Sequence, residues 1–338
     1  MSIQTNDTYQ MKNLLSAIHQ ADSILLFSHI SPDGDTIGSA LALKMMLTRL
    51  RKRVVLVLDG EVPSNLFFLP DLYDFRRPED QAEMMKSEMT NVLAIAVDVS
   101  CIARMGTGEK LFLSAPVTAQ IDHHETNPAY AQINVIDSAA PATAILIDRV
   151  GRELGLSVEQ EEAICLYTGL STDTGNFVYE STNAEAFCMM GRLMDAGLPL
   201  AKYSRILFRR KERELITLLG IALPTMTYLC NGEIAGMQLS QSAVKAAGIV
   251  NENTEGIVDY AIDASGVKMA YFAHETAEGR IRFNLRALKP NRVDQVAALF
   301  GGGGHPLASG CTVEGPLDEA VKRLQEALVC AREGKLGL

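Results

Sequence analysis

The sequence predicts an α/β protein in two parts, a parallel sheet with flanking helices followed by a smaller α+β domain. Three observations carry this. A length of 338 residues exceeds what one compact core usually needs. In the first half, short β-rich runs alternate with helical stretches, the pattern of a parallel sheet covered by helices. From 197 to 220 a Gly-Leu-Pro turn signal precedes the charged run Arg209-Arg210-Lys211-Glu212-Arg213-Glu214, which reads as a helical linker. The expected domains are therefore 1–196 and 221–338, with 197–220 between them.

Taken in order, the apolar runs Ser23 to Phe27, Arg53 to Leu58, Val92 to Val97, Val117 to Ile121 and Ile133 to Ile136 read as strands, being too short for ordinary helices. Thr36 to Arg51, Ala142 to Leu154, Val158 to Leu170 and Ala184 to Ala196 read as helices. Beyond the linker, strands are expected at Ile221 to Tyr228, Ile234 to Leu239, Lys268 to His274 and Arg280 to Ala287. Helices are expected at Thr254 to Ala264, Val293 to Phe300 and Leu317 to Ala331. Leu41, Leu43, Met45 and Met46 read as core positions rather than as an interface. No repeat, heptad run or low-complexity tract interrupts this pattern.

Composition narrows the function. With 47% hydrophobic and 21% charged residues the chain is ordinary for a soluble globular protein. No apolar run approaches a membrane span, and Met1 to Asn6 lacks a basic segment leading into an apolar one, so a cytoplasmic protein without membrane partners is expected. Its six cysteines are scattered without C-x-x-C spacing, which indicates neither a zinc knuckle nor a disulfide framework. A formal charge of −10 argues against wrapping a long duplex, because such affinity comes mainly from neutralising phosphates. A small anionic substrate needs only a local basic pocket. The absence of tryptophan and the 6% aromatic content give no extended base-stacking track, which favours short substrates.

Four segments place His and Asp at the ends of apolar runs: His29-Ile30-Ser31-Pro32-Asp33-Gly34-Asp35, Asp98, Asp122-His123-His124, and Asp173 within Ser171-Thr172-Asp173-Thr174-Gly175. In open parallel sheets ligands bind beyond the carboxyl ends of the strands, where His29, Asp98 and Asp122 fall. Residues far apart in sequence would converge there. The donors are carboxylate oxygen and imidazole without thiolate, a set that favours Mn²⁺ or Mg²⁺. Crowded carboxylates also repel one another unless cations neutralise them. Taken alone, Asp33 and Asp35 could simply cap the helix that follows. Four of the chain's six histidines, however, fall inside three such motifs, counting His305 after Gly301 to Gly304.

With these residues in place, the sequence resembles the DHH phosphoesterase superfamily, and within it the DHH–DHHA1 proteins of the oligoribonuclease (nanoRNase) and 3′-phosphoadenosine-5′-phosphate (pAp) phosphatase type. The motifs that carry the resemblance are the HxxxDxD turn, the isolated Asp98, the Asp122-His123-His124 triplet, Asp173-Thr174-Gly175 and the Gly301-Gly302-Gly303-Gly304-His305 run. It implies an N-terminal DHH domain carrying the metals and a C-terminal DHHA1 domain binding substrate. One cation would be held by His29, Asp33 and Asp98, and the other by Asp35, Asp98, His123 and Asp173. Asp98 would be shared between them, as a bridging carboxylate can hold two cations about 3.5–4 Å apart. The cations implied are two Mn²⁺, with Mg²⁺ or Co²⁺ as alternatives. Asp122 would support a neighbouring ligand histidine or backbone from behind. His124 would contact a non-bridging phosphate oxygen or serve as acid toward the leaving oxygen. Two departures from the family pattern stand out: Val99-Ser100-Cys101 where many relatives carry a further acid, and Ala308-Ser309-Gly310 where Ala-Ala-Gly is usual.

Between Arg280 and Arg292 lie five basic residues and no acid. On a strand Arg280, Arg282, Asn284 and Arg286 share one face, opposite Ile281, Phe283 and Leu285. A solvated outer face explains Arg280 and Arg282. The resemblance places Arg286 near the substrate phosphate. Gly302, Gly303 and Gly304 read as a flexible loop whose amides can approach a phosphate or base, with His305 beside it. A cleft between the domains is then expected to seat a terminal nucleotide. The implied reaction is two-metal hydrolysis of short oligoribonucleotides to 5′-mononucleotides and of pAp to AMP, with Asp98 and His124 as the catalytic pair. Alternatives are hydrolysis of linear or cyclic dinucleotides, pyrophosphate hydrolysis, a nucleotide sensor without catalysis, and a processive exonuclease. A homodimer is compatible with the resemblance.

Overall fold

A computed structural model describes residues 3–81, 91–250 and 252–335, so that Met1 and Ser2, at the start of the segment read for a leader, lie outside the described residues. Contacts divide the chain into two units, Met1–Arg210 and Lys211–Leu338. No helix among the described residues is long and apolar enough to cross a membrane.

The first unit runs α1 (Ile3–Gln20), β1 (Ser23–Phe27), α2 (Gly34–Arg49), β2 (Arg53–Val57), β3 (Phe75–Arg76), β4 (Val92–Val97), α3 (Gly108–Ser114), β5 (Val117–Asp122), β6 (Ile133–Ile136), α4 (Thr143–Glu153), α5 (Gln160–Asp173), α6 (Ala184–Asp195) and α7 (Leu200–Ser204). Its strands are all parallel in the order β3-β2-β1-β4-β5-β6. The chain thus winds outward from β1 in one direction and from β4 in the other, so the β1–β4 seam is the switch point at which open sheets bind ligands. Continuous apolar strands are what this sheet requires, because both faces are covered. Ile24 and Leu26 enter the core under the helices, whereas Leu25 and Phe27 enter a second core with Ala94, Ala96 and Phe112.

Local chemistry sets the helix ends. Asp33 caps α2 by accepting from the amides of Asp35 (3.1 Å) and Thr36 (3.0 Å). Glu159 and Glu162 form a capping box at the start of α5. Helices α2 and α5 approach so closely that a methyl on Gly38 would strike the Cys165 carbonyl, and one on Gly169 would lie 2.5 Å from Asp35 Oδ1.

The second unit comprises α8 (Arg213–Ala222), β7 (Thr227–Leu229), β8 (Ile234–Leu239), α9 (Gln241–Ala246), α10 (Asp259–Ile262), β9 (Met269–Glu275), β10 (Ile281–Ala287), α11 (Asp294–Leu299), β11 (Gly303–His305), β12 (Ala308–Val313) and α12 (Leu317–Arg332). Its sheet has the order β11-β12-β10-β9-β8-β7, antiparallel except for β8 with β9. The fold class is that expected, a helix-flanked parallel sheet followed by an α+β unit. On β10, Ile281, Phe283 and Leu285 are buried while Arg282, Asn284 and Arg286 keep part of their surface.

Several elements differ from expectation. Ile221 to Tyr228 is the end of α8, a 3-10 turn with Pro224 near its start, and the short β7. A short apolar run does not reveal its period, which is why it reads as a strand. Thr254 to Ala264 shrinks to the single turn of α10, preceded by Gly256 at φ +79°. The charged run is a break rather than one helix: a π turn ends at Arg209, Arg210 is extended, and Glu212 precedes α8. Gly303 to His305 is no flexible loop but the edge strand β11, paired with β12. Helix α1, which burial of Leu14 and Ile18 anchors to the core, has no counterpart in the expected elements.

Candidate metal centre

Three strand ends converge on one spot. His29 follows β1 by two residues, Asp98 follows β4 directly, and Asp122 closes β5 with His123 and His124 beyond it. Asp33 and Asp35 begin α2, and Asp173 is the last residue of α5. Asp98 has a left-handed backbone, φ +59°, and its amide donates to the Ile121 carbonyl (3.0 Å), which ties the kink to β5.

The side chains form three groups whose ligand atoms lie within 4.8 Å of one another: His29, Asp33 and Asp98; Asp35, His123 and Asp173; and Asp98, His123 and His124. Asp98 reaches in two directions. Its Oδ2 lies 3.9 Å from His29 Nε2, and its Oδ1 lies 3.8 Å from His123 Nε2. His29 Nε2 is 3.8 Å from Asp33 Oδ2, and His123 Nε2 is 3.1 Å from Asp173 Oδ2. This donor set of oxygen and imidazole, with a carboxylate facing two clusters, fits two hard divalent cations.

The supporting contacts come largely from residues that motif reading passes over. Thr36 Oγ1 donates to Asp98 Oδ2 (2.6 Å) and sits 2.6 Å from His29 Nε2, while Thr143 Oγ1 donates to Asp98 Oδ1 (2.9 Å). The buried Asp35 carboxylate accepts from the Thr143 amide (2.6 Å) and the Ala144 amide (3.0 Å) at the start of α4, where unsatisfied N–H groups favour an anion. Asp122 is fully buried and accepts from the His123 amide (2.9 Å), His124 Nδ1 (2.7 Å) and Asn127 Nδ2 (2.5 Å). It therefore supports the backbone of one histidine and the ring of the other. Only their position after a motif acid or at a helix start could have pointed to Thr36 and Thr143.

Electrostatics describe a centre short of positive charge. Burial, then the neighbouring Asp173 charge, pushes Asp35 up to about 7. Asp98 is raised well above the usual carboxylate range by burial and then by Asp35, Asp33 and Asp173. Burial opposes protonation of His123, yet its hydrogen bond with Asp173 and the charges of Asp35 and Asp98 lift it to about 10. His29 is lowered to about 4 by burial and then by Arg104, which keeps it in the neutral form that ligates. Where protons compensate crowded acids, cations can replace them.

A pH dependence follows. Asp35, raised from 3.8 to about 7, contributes stability at low pH that is lost as pH rises through that window. His123, raised from 6.5 to about 10, contributes stability below 6.5 that is lost toward 10. His29, lowered from 6.5 to about 4, acts oppositely, losing stability as pH falls through its window and offsetting Asp35 there. With chelator present, the first unit's melting temperature should fall from about pH 4 to 10, more gently below 6.5, where His29 offsets part of what Asp35 and the likewise raised Asp98 lose. Added Mn²⁺ should flatten that fall; a flat or rising profile in chelator alone contradicts this account.

The second unit carries the other expected residues. Arg286 on β10 pairs with Asp259 Oδ1 (3.0 Å). Arg286 is opposite Ala308, which is opposite His305, so the two basic residues share one transverse row of the sheet. Gly302 lies where a Cβ would strike the Gly310 carbonyl, and Gly304 has φ +139°. Gly303 lies opposite Gly310.

Comparison with known proteins agrees with this arrangement. The profile of the DHH family, N-terminal domain, matches residues 23–170, and that of the DHHA1 domain matches 236–329. A Thermus thermophilus protein named bifunctional oligoribonuclease and PAP phosphatase NrnA is 29% identical over 90% of this chain and 89% of its own. A Bacillus subtilis protein of the same name is 24% identical over 95% and 98%. Among solved structures, an exopolyphosphatase-related protein from Bacteroides fragilis superposes with a TM-score of 0.83 at 26% identity, covering 95% of this chain and 96% of that one.

Proposed function

Because the chain belongs to the DHH–DHHA1 phosphoesterase superfamily, we propose that it hydrolyses short oligoribonucleotides to 5′-mononucleotides and pAp to AMP with two divalent cations, Mn²⁺ ahead of Mg²⁺ or Co²⁺. The observation that carries this is Asp98, a buried carboxylate whose two oxygens face different His/Asp clusters. His29, Asp33 and Asp98 would hold one cation, and Asp35, Asp98, His123 and Asp173 the other. Bound divalent cations supply Lewis-acid charge that stabilises phosphate oxygens and makes water more acidic.

The chain's own groups do the rest. Thr36 and Thr143 hold Asp98 by both oxygens, and the α4 amides hold Asp35, so the ligands are oriented before substrate arrives. His124 gives Nδ1 to Asp122, which leaves Nε2 for the substrate. The buried Asp122 carboxylate fixes the orientation of the ring, as a carboxylate behind a histidine does in other hydrolases, so His124 is placed to deliver a proton to the departing ribose oxygen. Arg286, Gly302 and the β11 residues Gly303, Gly304 and His305 serve as substrate-binding groups in the second unit. The acidic overall charge fits short substrates better than long duplexes.

The test is a manganese-supplemented assay of pAp, a 5′-phosphorylated diribonucleotide, a cyclic dinucleotide, pyrophosphate and a twenty-residue RNA. AMP and mononucleotides should appear fastest from the first two. Faster cleavage of the cyclic dinucleotide or of pyrophosphate would replace this substrate assignment, and binding without turnover under every cation would mark a sensor.

A further inference from the structure

Arginines with half-buried side chains in the first unit share a habit. Arg49 pairs with Glu159 and Glu162, Arg77 with Glu61, Arg149 with Asp137 and Glu185, and Arg192 with Asp148. Arg104 is the exception. Its Nη2 lies 3.3 Å from His29 Nδ1 and its Nη1 3.5 Å from Ser100 Oγ, with no carboxylate in ion-pair range among the described residues.

The placement is built rather than incidental. Arg104 belongs to the 3-10 turn Ile102–Met105. Its carbonyl accepts from the Ile30 amide (2.8 Å), which joins the turn to the loop that carries His29. Gly106 ends the turn at φ +60°, where a Cβ would collide with the Asp59 carboxylate, and that carboxylate accepts from the Thr107 amide (2.8 Å). The guanidinium is thus held against the edge of the His29 ring opposite the nitrogen that faces Asp33 and Asp98.

A half-buried guanidinium without a counter-charge is costly, and a phosphate is the ligand that satisfies both its charge and its forked geometry. We infer that Arg104, with Ser100, binds a substrate phosphate that flanks the one under attack, namely the 5′-phosphate of pAp or of a 5′-phosphorylated dinucleotide. The imidazole of His29 separates this cation from the acids, which suits a neighbouring phosphate rather than the scissile one. The assignment rests on the phosphoesterase reading and adds a specificity group to it.

The experiment compares equilibrium binding of pAp and 3′-AMP, which lacks the 5′-phosphate, to the wild type, Arg104→Gln and Arg104→Lys in Ca²⁺, alongside Mn²⁺ affinity. Loss of a charge-assisted contact should weaken pAp binding to Arg104→Gln about 10- to 100-fold and 3′-AMP binding far less. Lysine should restore part of the preference, and Mn²⁺ affinity should hold. Equal losses on both ligands, unchanged pAp affinity, or weaker Mn²⁺ binding with the preference for pAp intact would each overturn the assignment. A wild type that binds pAp with this preference yet hydrolyses no nucleotide in Mn²⁺ overturns the activity reading instead and leaves the Arg104 site standing.

Discussion

Asp98→Ala protein folds but loses manganese-dependent hydrolysis by about 10³-fold or more, since electrostatic stabilisation of the transferring phosphate is usually the largest catalytic term. The size of the loss follows from position. Among the described residues Asp98 is the one acid that borders both the His29 cluster and the histidine pair, so its removal takes an oxygen from each group at once. The same change should not weaken the ion-free protein through lost charge. Asp98 is buried beside Asp35, Asp33 and Asp173, and deleting one of several crowded carboxylates relieves repulsion. Melting curves of Asp98→Asn in chelator should therefore match or exceed the wild type, while the rise in melting temperature on adding Mn²⁺ largely disappears. Near-normal turnover by purified, folded Asp98→Ala would refute the shared-ligand assignment.

Gly38→Val should strongly destabilise the first unit. A branched side chain there meets the Cys165 carbonyl and the Gly169 amide nitrogen, both backbone atoms of α5 that cannot rotate away. Overpacking against a fixed neighbour costs about 2–4 kcal/mol, which for a unit of this size lowers the melting temperature by roughly 5–15 °C. Gly191→Ala in α6 is the control, because an added methyl there meets nothing within 4 Å and alanine favours a helix. The Gly38 variant also tests function. Helix α2 starts with Asp35 and α5 ends with Asp173, so separating the helices pulls apart the Asp35, His123 and Asp173 group and weakens cation binding. A Gly38→Val protein as stable as the wild type would show that the two helices are less tightly seated than described.

Much of this centre could be read from residue order because its acids and histidines, Asp173 at the end of α5 apart, follow an apolar strand or begin a helix, and a parallel sheet gathers such ends on one side. Thr36, Thr143, Ala144 and Arg104 could not. Threonines and backbone amides carry no distinctive signal, and Arg104 reaches His29 only through a turn that Gly106 closes in a left-handed conformation. In the second unit, pattern failed where period and length were ambiguous. The apolar run from Ile221 served a helix end, and glycines that suggest mobility instead allowed β11 to lie close against β12.

The kinked backbone at Asp98 bears on any attempt to transplant this centre into another scaffold. A residue at φ +59° is held there by the rest of the sheet, and among carboxylate side chains Asp tolerates that conformation more readily than Glu. Glutamate would therefore have to overcome backbone strain as well as its extra length. A designer copying the constellation must reproduce the bend after β4 before choosing the acid, because a straight strand end would aim the same carboxylate elsewhere.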